Sequence, residues 1–202
     1  MEQIRSFIAI ELPDELKLEL SQLQANLKSP QQSWVKWVDP YAIHITLKFL
    51  GNIALDRTGE ITRAIEEAAQ GTAPFHLEVK ETGVFPNLRR VQVAWVGISG
   101  EVDKLSQLQQ RIESNLAHLG FTPESRRFTP HLTMARLRDQ ASMDERQQFG
   151  QLIANTGFES AHAIDVNAIS LMKSQLTREG AIHSRISSVG LRKNQSESKK
   201  VR

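Results

Sequence analysis

Two segments 87 residues apart are written to the same pattern. Ile43-His44-Ile45-Thr46-Leu47-Lys48-Phe49-Leu50 and Pro130-His131-Leu132-Thr133-Met134-Ala135-Arg136-Leu137 each open by alternating apolar with polar residues. Side chains on a strand point to opposite faces in turn, so each segment predicts a half-buried strand. One face is apolar and seeks a core. The other presents an imidazole beside a hydroxyl. Strict alternation also puts Lys48 on the face of His44 and Thr46. It puts Arg136 on the face away from His131, unless a bulge redirects it.

The surrounding order repeats as well. Residues 4–11 alternate like a strand, and Leu16, Leu20, Leu23 and Leu27 fall at helical spacing across 13–28. The motif strand at 43–50 follows, then a helix over 56–70 and a strand over 75–84. The second half runs strand 90–98, helix 102–119, motif strand 128–137, helix 142–155, and final strands 163–172 and 181–189. Each half therefore reads strand, helix, motif strand, helix, strand, the mark of a weak internal duplication. The expected fold is α+β. Two lobes related by a pseudo-twofold axis, each an antiparallel sheet with helices on its outer face, enclose a central groove. Residues 1–191 form this single bilobal domain, and residues 192–202 form a basic tail expected to be disordered.

Composition closes off several classes of function. There is no cysteine, which excludes disulfides, thiolate nucleophiles and cysteine-bound zinc. A cytoplasmic location is the matching expectation. No apolar run reaches the roughly 18 residues of a membrane span, and the first residues do not read as a secretory signal. Net charge is +2, but the tail RKNQSESKKVR holds five basic residues against one acid. The rest is slightly acidic, unlike a surface that coats a duplex. Nucleic acid is expected to touch the protein locally, at a cleft.

The paired motifs suit phosphodiester chemistry. Cleavage needs a base to deprotonate the nucleophile and an acid to protonate the leaving oxygen. Histidine serves both roles because its unperturbed pKa is roughly 6.5. Two imidazoles on opposite sides of one phosphorus allow in-line displacement. Threonine hydroxyls can hold the non-bridging oxygens, and Lys48 can offset their charge. A metal site needs several ligands, whereas each strand offers one imidazole and no nearby carboxylate. No metal and no cofactor are expected.

The motifs HITL and HLTM resemble those of the two-histidine (2H) phosphoesterase superfamily. With RSFIAIELP, HITLKFLGN, GVFPNLRRVQVAWVGI, RFTPHLTMARL and LMKSQLTREGAIH, the chain is similar to its bacterial and archaeal branch. These are the RNA 2',3'-cyclic phosphodiesterases, also described as tRNA 2'-5' ligases. The resemblance spans residues 4–190 and implies hydrolysis of a terminal 2',3'-cyclic phosphate to a 2'-phosphomonoester. It implies that His44 donates a proton to the 3' oxygen, that His131 accepts one from water, and that Thr46 and Thr133 grip the phosphate. RNA ends bearing a cyclic phosphate, tRNA fragments among them, are the implied partner. The enzyme is expected to act as a monomer, away from membranes. His183 stands where the family more often has an aromatic residue.

Other residues carry weaker signals. Arg136, Phe7 and Arg127 are further candidates for substrate binding, with Arg126 adding positive potential. Phe7, Trp37 and Trp95 could stack on a base, although strand aromatics are more often core. His76, His118, His162 and His183 lack a matching partner and read as structural or surface residues. Competing functions are 2'-5' joining of RNA halves, hydrolysis of a small cyclic phosphate, and a non-catalytic RNA-end binding module. A binding module would tolerate loss of one imidazole, so two complete motifs favour catalysis.

Overall fold

A computed structural model describes residues 2–178 and 180–192. The tail from residue 193 onward lies outside them. In chain order the elements are β1 (Gln3–Glu11), α1 (Asp14–Leu27), β2 (Val35–Trp37), β3 (His44–Ala54), α2 (Thr58–Ala69), β4 (Phe75–Phe85) and β5 (Val93–Gly100). They continue with α3 (Val102–His118), β6 (His131–Leu137), α4 (Met143–Ala154), β7 (Ile164–Val166), β8 (Ala168–Leu176) and β9 (Ala181–Gly190).

Local chemistry explains where these elements begin. Pro13 precedes α1, and Asp14 and Glu15 occupy its first turn, where acids suit the helix dipole. Ser142 and Glu145 form a reciprocal capping box at α4. The single strand expected over 163–172 is two, β7 and β8, divided at Asn167. The short β2 lies in a stretch with no strand expectation. β3 runs past Gly51, which adopts φ 72°, a conformation open to glycine at no steric cost.

The strands pair antiparallel in the order β7-β4-β5-β6-β3-β1-β8-β9, with β2 also on β6. The order is symmetric about the junction of β6 and β3, the two motif strands. That junction is one residue pair, Ile45 with Leu132. Each half donates a strand to the other. β4 follows the first motif strand and α2 but pairs with β5, while β8 follows the second motif strand and α4 but pairs with β1. The two expected lobes are present, and this exchange interlaces them.

One apolar core joins all four helices to one side of the sheet. It contains Leu16 and Leu20 of α1, Ile61 and Ile65 of α2, Leu108 and Ile112 of α3, and Phe149 and Ile153 of α4. Ile8, Ile45, Val96 and Leu132 meet them from the strands. Phe7, Ala9 and Met172 form a separate small cluster. Phe7 and Ala9 alternate with Ile8 and Ile10, so this cluster belongs to the opposite face.

Both motif strands break their alternation at the same point. Along β3 the partners pass from Thr46–Ala9 to Lys48–Ile8, leaving Leu47 extra. Along β6 they pass from Thr133–Trp95 to Ala135–Ala94, leaving Met134 extra. An inserted residue moves everything beyond it to the other face. Leu47 and Lys48 are accordingly both buried, as are Met134 and Ala135. Lys48 therefore does not share the face of His44. Its Nζ donates to Glu113 Oε2 of α3 at 2.6 Å and to the Thr122 carbonyl at 3.0 Å.

Breaking a buried ion pair leaves an uncompensated charge, which typically costs about 3–5 kcal/mol. Glu113→Ala is therefore expected to lower unfolding free energy by about 3 kcal/mol in urea titrations. An unchanged midpoint would show that Lys48 does not anchor β3 to α3.

Candidate active site

The Ile45–Leu132 pair sets the geometry of the site. Extending its antiparallel register by one residue each way places His44 opposite Thr133 and His131 opposite Thr46. The imidazoles therefore lie on one diagonal of a quadrilateral and the hydroxyls on the other. Each histidine has a threonine beside it on its own strand and another across from it.

Both rings are anchored in the same way. His44 Nδ1–H donates to the Ala42 carbonyl at 2.8 Å, and His131 Nδ1–H donates to the Thr129 carbonyl at 2.7 Å. A carbonyl only accepts, so Nδ1 carries the hydrogen and Nε2 of each neutral ring keeps a free lone pair. Phe7 stacks on His44 with ring centres 4.5 Å apart, and His183 meets it edge-on at 5.2 Å. Phe85 meets His131 edge-on at 5.1 Å.

Burial pushes His44 down to about pKa 4. The bond to Ala42 opposes this, neighbouring His183 adds to it, and the Glu11 carboxylate opposes it. Burial also lowers His131; its bond to Thr129 works against this, and the Arg136 guanidinium reinforces it. Burial lowers His183 as well. Glu11 pairs with His44 across β1 and β3. Its carboxylate accepts Arg185 Nε and Nη2, each at 2.8 Å, and Ser170 Oγ at 2.6 Å. The Arg185 bonds, with help from Ser170, hold Glu11 below the usual carboxylate range despite its partial burial.

A cavity of about 260 Å³ opens beside the motif strands, bordered by His44, Thr46, Thr133, Arg136, Phe7 and His183, among others; His131 stands next to Thr133 on the strand but does not itself border it. Arg136 arrives there because the extra residue Met134 turns it onto the face of His131 and Thr133. Phe49 is its counterpart on β3, at the same offset from the motif histidine, and it too borders the cavity. Lys48 faces the core side. Arg127 is exposed in the loop before β6 and does not border the cavity. Trp37 packs edge-on against Phe149, and Trp95 lies tilted against Phe85 beside Thr133.

Several bordering residues are not legible as site residues in the sequence, Arg5, Ser6, Phe49 and His183 among them. His183 reads as structural or surface because nothing in the repeat matches it. Its position on β9, two strands from His44, depends on the late pairing of β8 with β1. Among the described residues, no group of three or more histidines and acids is placed to hold a metal ion.

Comparison with known proteins gives concordant results. The family described as LigT-like phosphoesterase matches twice in tandem, over residues 10–95 and 96–183. An RNA 2',3'-cyclic phosphodiesterase of Methanothermobacter thermautotrophicus is 32% identical over 181 residues, 90% of this chain and 95% of that protein. One of Methanocaldococcus jannaschii is 31% identical over 189 residues, 89% of this chain and 96% of that protein. Among solved structures, TT0787 of Thermus thermophilus matches with a TM-score of 0.76 at 23% identity, over 94% of this chain and 99% of that one. E. coli LigT complexed with 3'-AMP matches with a TM-score of 0.75 at 21% identity, over 94% and 99%.

The lowered pKa of His44 has a consequence for stability. The unfolded chain binds a proton there near pH 6.5, and the folded chain only near 4. Stability is then full above pH 6.5 and is lost as pH falls toward 4. His44→Gln is expected to remove about 2 kcal/mol of the decline between pH 7 and 4.5, measured by urea unfolding at both values. Equal declines in the two proteins would refute a neutral, buried His44.

Proposed function

The chain belongs to the LigT-like phosphoesterase family, and from that premise we propose that it hydrolyses RNA 2',3'-cyclic phosphate ends to 2'-phosphomonoesters. The observation that carries this is the register of the two motif strands, which sets His44 and Thr46 across from Thr133 and His131, with His44, Thr46 and Thr133 lining one cavity. A phosphate between the threonine hydroxyls has one imidazole Nε2 on each side, which is the arrangement in-line displacement requires.

His131 Nε2 takes a proton from water as the water oxygen bonds to phosphorus. The bond from phosphorus to O3' breaks, and His44 Nε2–H gives its proton to O3'. The product keeps the phosphate on O2'. Solvent then restores a proton to His44 and removes one from His131. No metal takes part in these steps. A groove completed within one chain supports action as a monomer, and the absence of cysteine fits a reducing cytoplasm.

Two differences between the lobes support this division of labour. Burial favours the neutral form of both rings and is the larger effect; against it the Glu11 carboxylate beside His44 favours the protonated form, while Arg136 near His131 adds to the neutral form. The departing O3' also stays on the ribose, so the nucleoside lies toward the acid. Phe7, Phe49 and Leu176 line the His44 side of the cavity and suit that apolar load. An anionic phosphate entering the groove raises the proton affinity of His44.

His44→Ala and His131→Ala are each expected to slow turnover of a 2',3'-cyclic nucleotide by about 10²–10⁴-fold. The assay is run in EDTA and the product identified by chromatography. Loss of activity in chelator, or a 3'-phosphate product, would overturn the proposal.

The pH profile of kcat/KM reports the free enzyme. The active form carries one proton on the pair. Activity falls as pH rises through the higher pKa, where the pair loses that proton, and falls again below the lower one, where it gains a second. Both imidazoles lie below 6.5, so the kcat/KM optimum is expected on the acid side of 6.5. A maximum above pH 7 would contradict this.

A further inference from the structure

The cavity over the motif residues extends beyond them. It runs on toward the start of β1, where Arg5, Ser6, Gly51 and Leu176 border it. Three observations there point to a ligand larger than one cyclic phosphate.

The first is Arg5. Its side chain is exposed, and among the described residues it has no carboxylate or hydrogen-bond partner. The other cavity arginine, Arg136, lies at the motif end.

The second is a pattern of unmet polar atoms. Buried polar groups are nearly always hydrogen-bonded. Among the described residues, four buried side-chain polar atoms lack a partner, and two of them, Ser6 Oγ and His183 Nδ1, belong to residues bordering this cavity. Ser6 is only 1% exposed and sits next to Arg5.

The third is apolar surface left in water. Phe49 is 63% exposed and Leu176 70%, and both border the same cavity. Flat apolar surface beside unmatched donors and acceptors suits a ribose and base.

Given the phosphodiesterase reading above, on which this rests, we propose that the Arg5 end of the groove is a subsite for the nucleotide chain. The Arg5 guanidinium binds the phosphate on the 5' side of the terminal ribose, whose 2',3'-cyclic phosphate lies between the two histidines. The terminal nucleoside spans the wall between these two anions. Arg5 is thus a specificity-determining residue that favours RNA ends over free cyclic nucleosides. A guanidinium binds a phosphate through charge-assisted, bidentate hydrogen bonds, while a nucleoside lacking the 5' phosphate leaves Arg5 in water.

The test compares kcat/KM for three substrates that share one base. They are a nucleoside 2',3'-cyclic phosphate, its 5'-phosphorylated form, and a dinucleotide ending in the same cyclic phosphate. In the wild type, the second and third are expected to exceed the first by about tenfold, in line with a charged hydrogen bond. Arg5→Ala collapses that ratio toward one, and Arg5→Lys keeps part of it. Equal kcat/KM for all three in the wild type overturns the subsite, as does an Arg5→Ala loss shared equally by all three. No turnover of any of them removes the phosphodiesterase reading, and the subsite with it.

Discussion

Ile45 and Leu132 join the two halves of the sheet, and both are fully buried. Burying an aliphatic side chain of this size contributes roughly 2 kcal/mol. A strand sends alternate side chains to opposite faces, so burying these two fixes the neighbours on either side. His44, Thr46, His131 and Thr133 must look into the groove. Slipping the pairing by one residue would bury two imidazoles and two hydroxyls without partners and expose the aliphatics. The hydrophobic effect, with no directional preference of its own, thereby turns four polar groups to one face of the sheet. The carbonyls of Ala42 and Thr129 then fix the remaining freedom, the rotation and tautomer of each ring.

On this symmetric frame the differences between lobes give the groove a direction. The extra residues Leu47 and Met134 occupy matching places, so each motif strand returns a third side chain to the groove. On one strand that side chain is Phe49 and on the other Arg136. The neighbouring strands differ too. Glu11 pairs with His44, whereas Gly97 pairs with His131. A carboxylate beside one imidazole and a guanidinium near the other push their proton affinities in opposite senses, while burial lowers both. The repeat supplies two equivalent imidazoles, and these few differences make their surroundings unequal.

Much of this is legible in the sequence, for identifiable reasons. Helical spacing of Leu16, Leu20, Leu23 and Leu27 declares α1, and the motif alternation declares β3 and β6. The recurrence of the order declares two lobes. What alternation does not reveal is its own interruption. Strict parity puts Lys48 in the groove, and a single unpaired residue turns it into a buried partner of Glu113. The same device delivers Arg136, whose parity argues against it. Nothing in the residue types at Leu47 or Met134 signals a bulge, because both are ordinary strand apolars. The exchange of β4 and β8 is equally hidden, since it concerns which strands meet across long stretches of chain. His183 escapes notice for that reason, and Arg5 and Ser6 because β1 looks like a simple edge of the core.

Several residues that violate the usual rules of a folded interior stand on one wall of the groove. His44 is held neutral by burial, Ser6 and His183 carry unmet polar atoms, and Phe49 and Leu176 stand in water. Each costs stability, and a chain optimised only to fold would remove them. The wall around His131 carries fewer of them: Trp95 has an unpartnered Nε1 but packs against Phe85, which itself packs against His131, and Arg136 borders the cavity. Such uncompensated local costs persist where something outside the protein completes them. On the function proposed above, those on the β1, β3 and β9 side face the bulk of the substrate, with a water molecule opposite. That is the asymmetry a cyclic phosphate imposes, since both of its ester oxygens belong to one ribose and the attacking water must come from the other side.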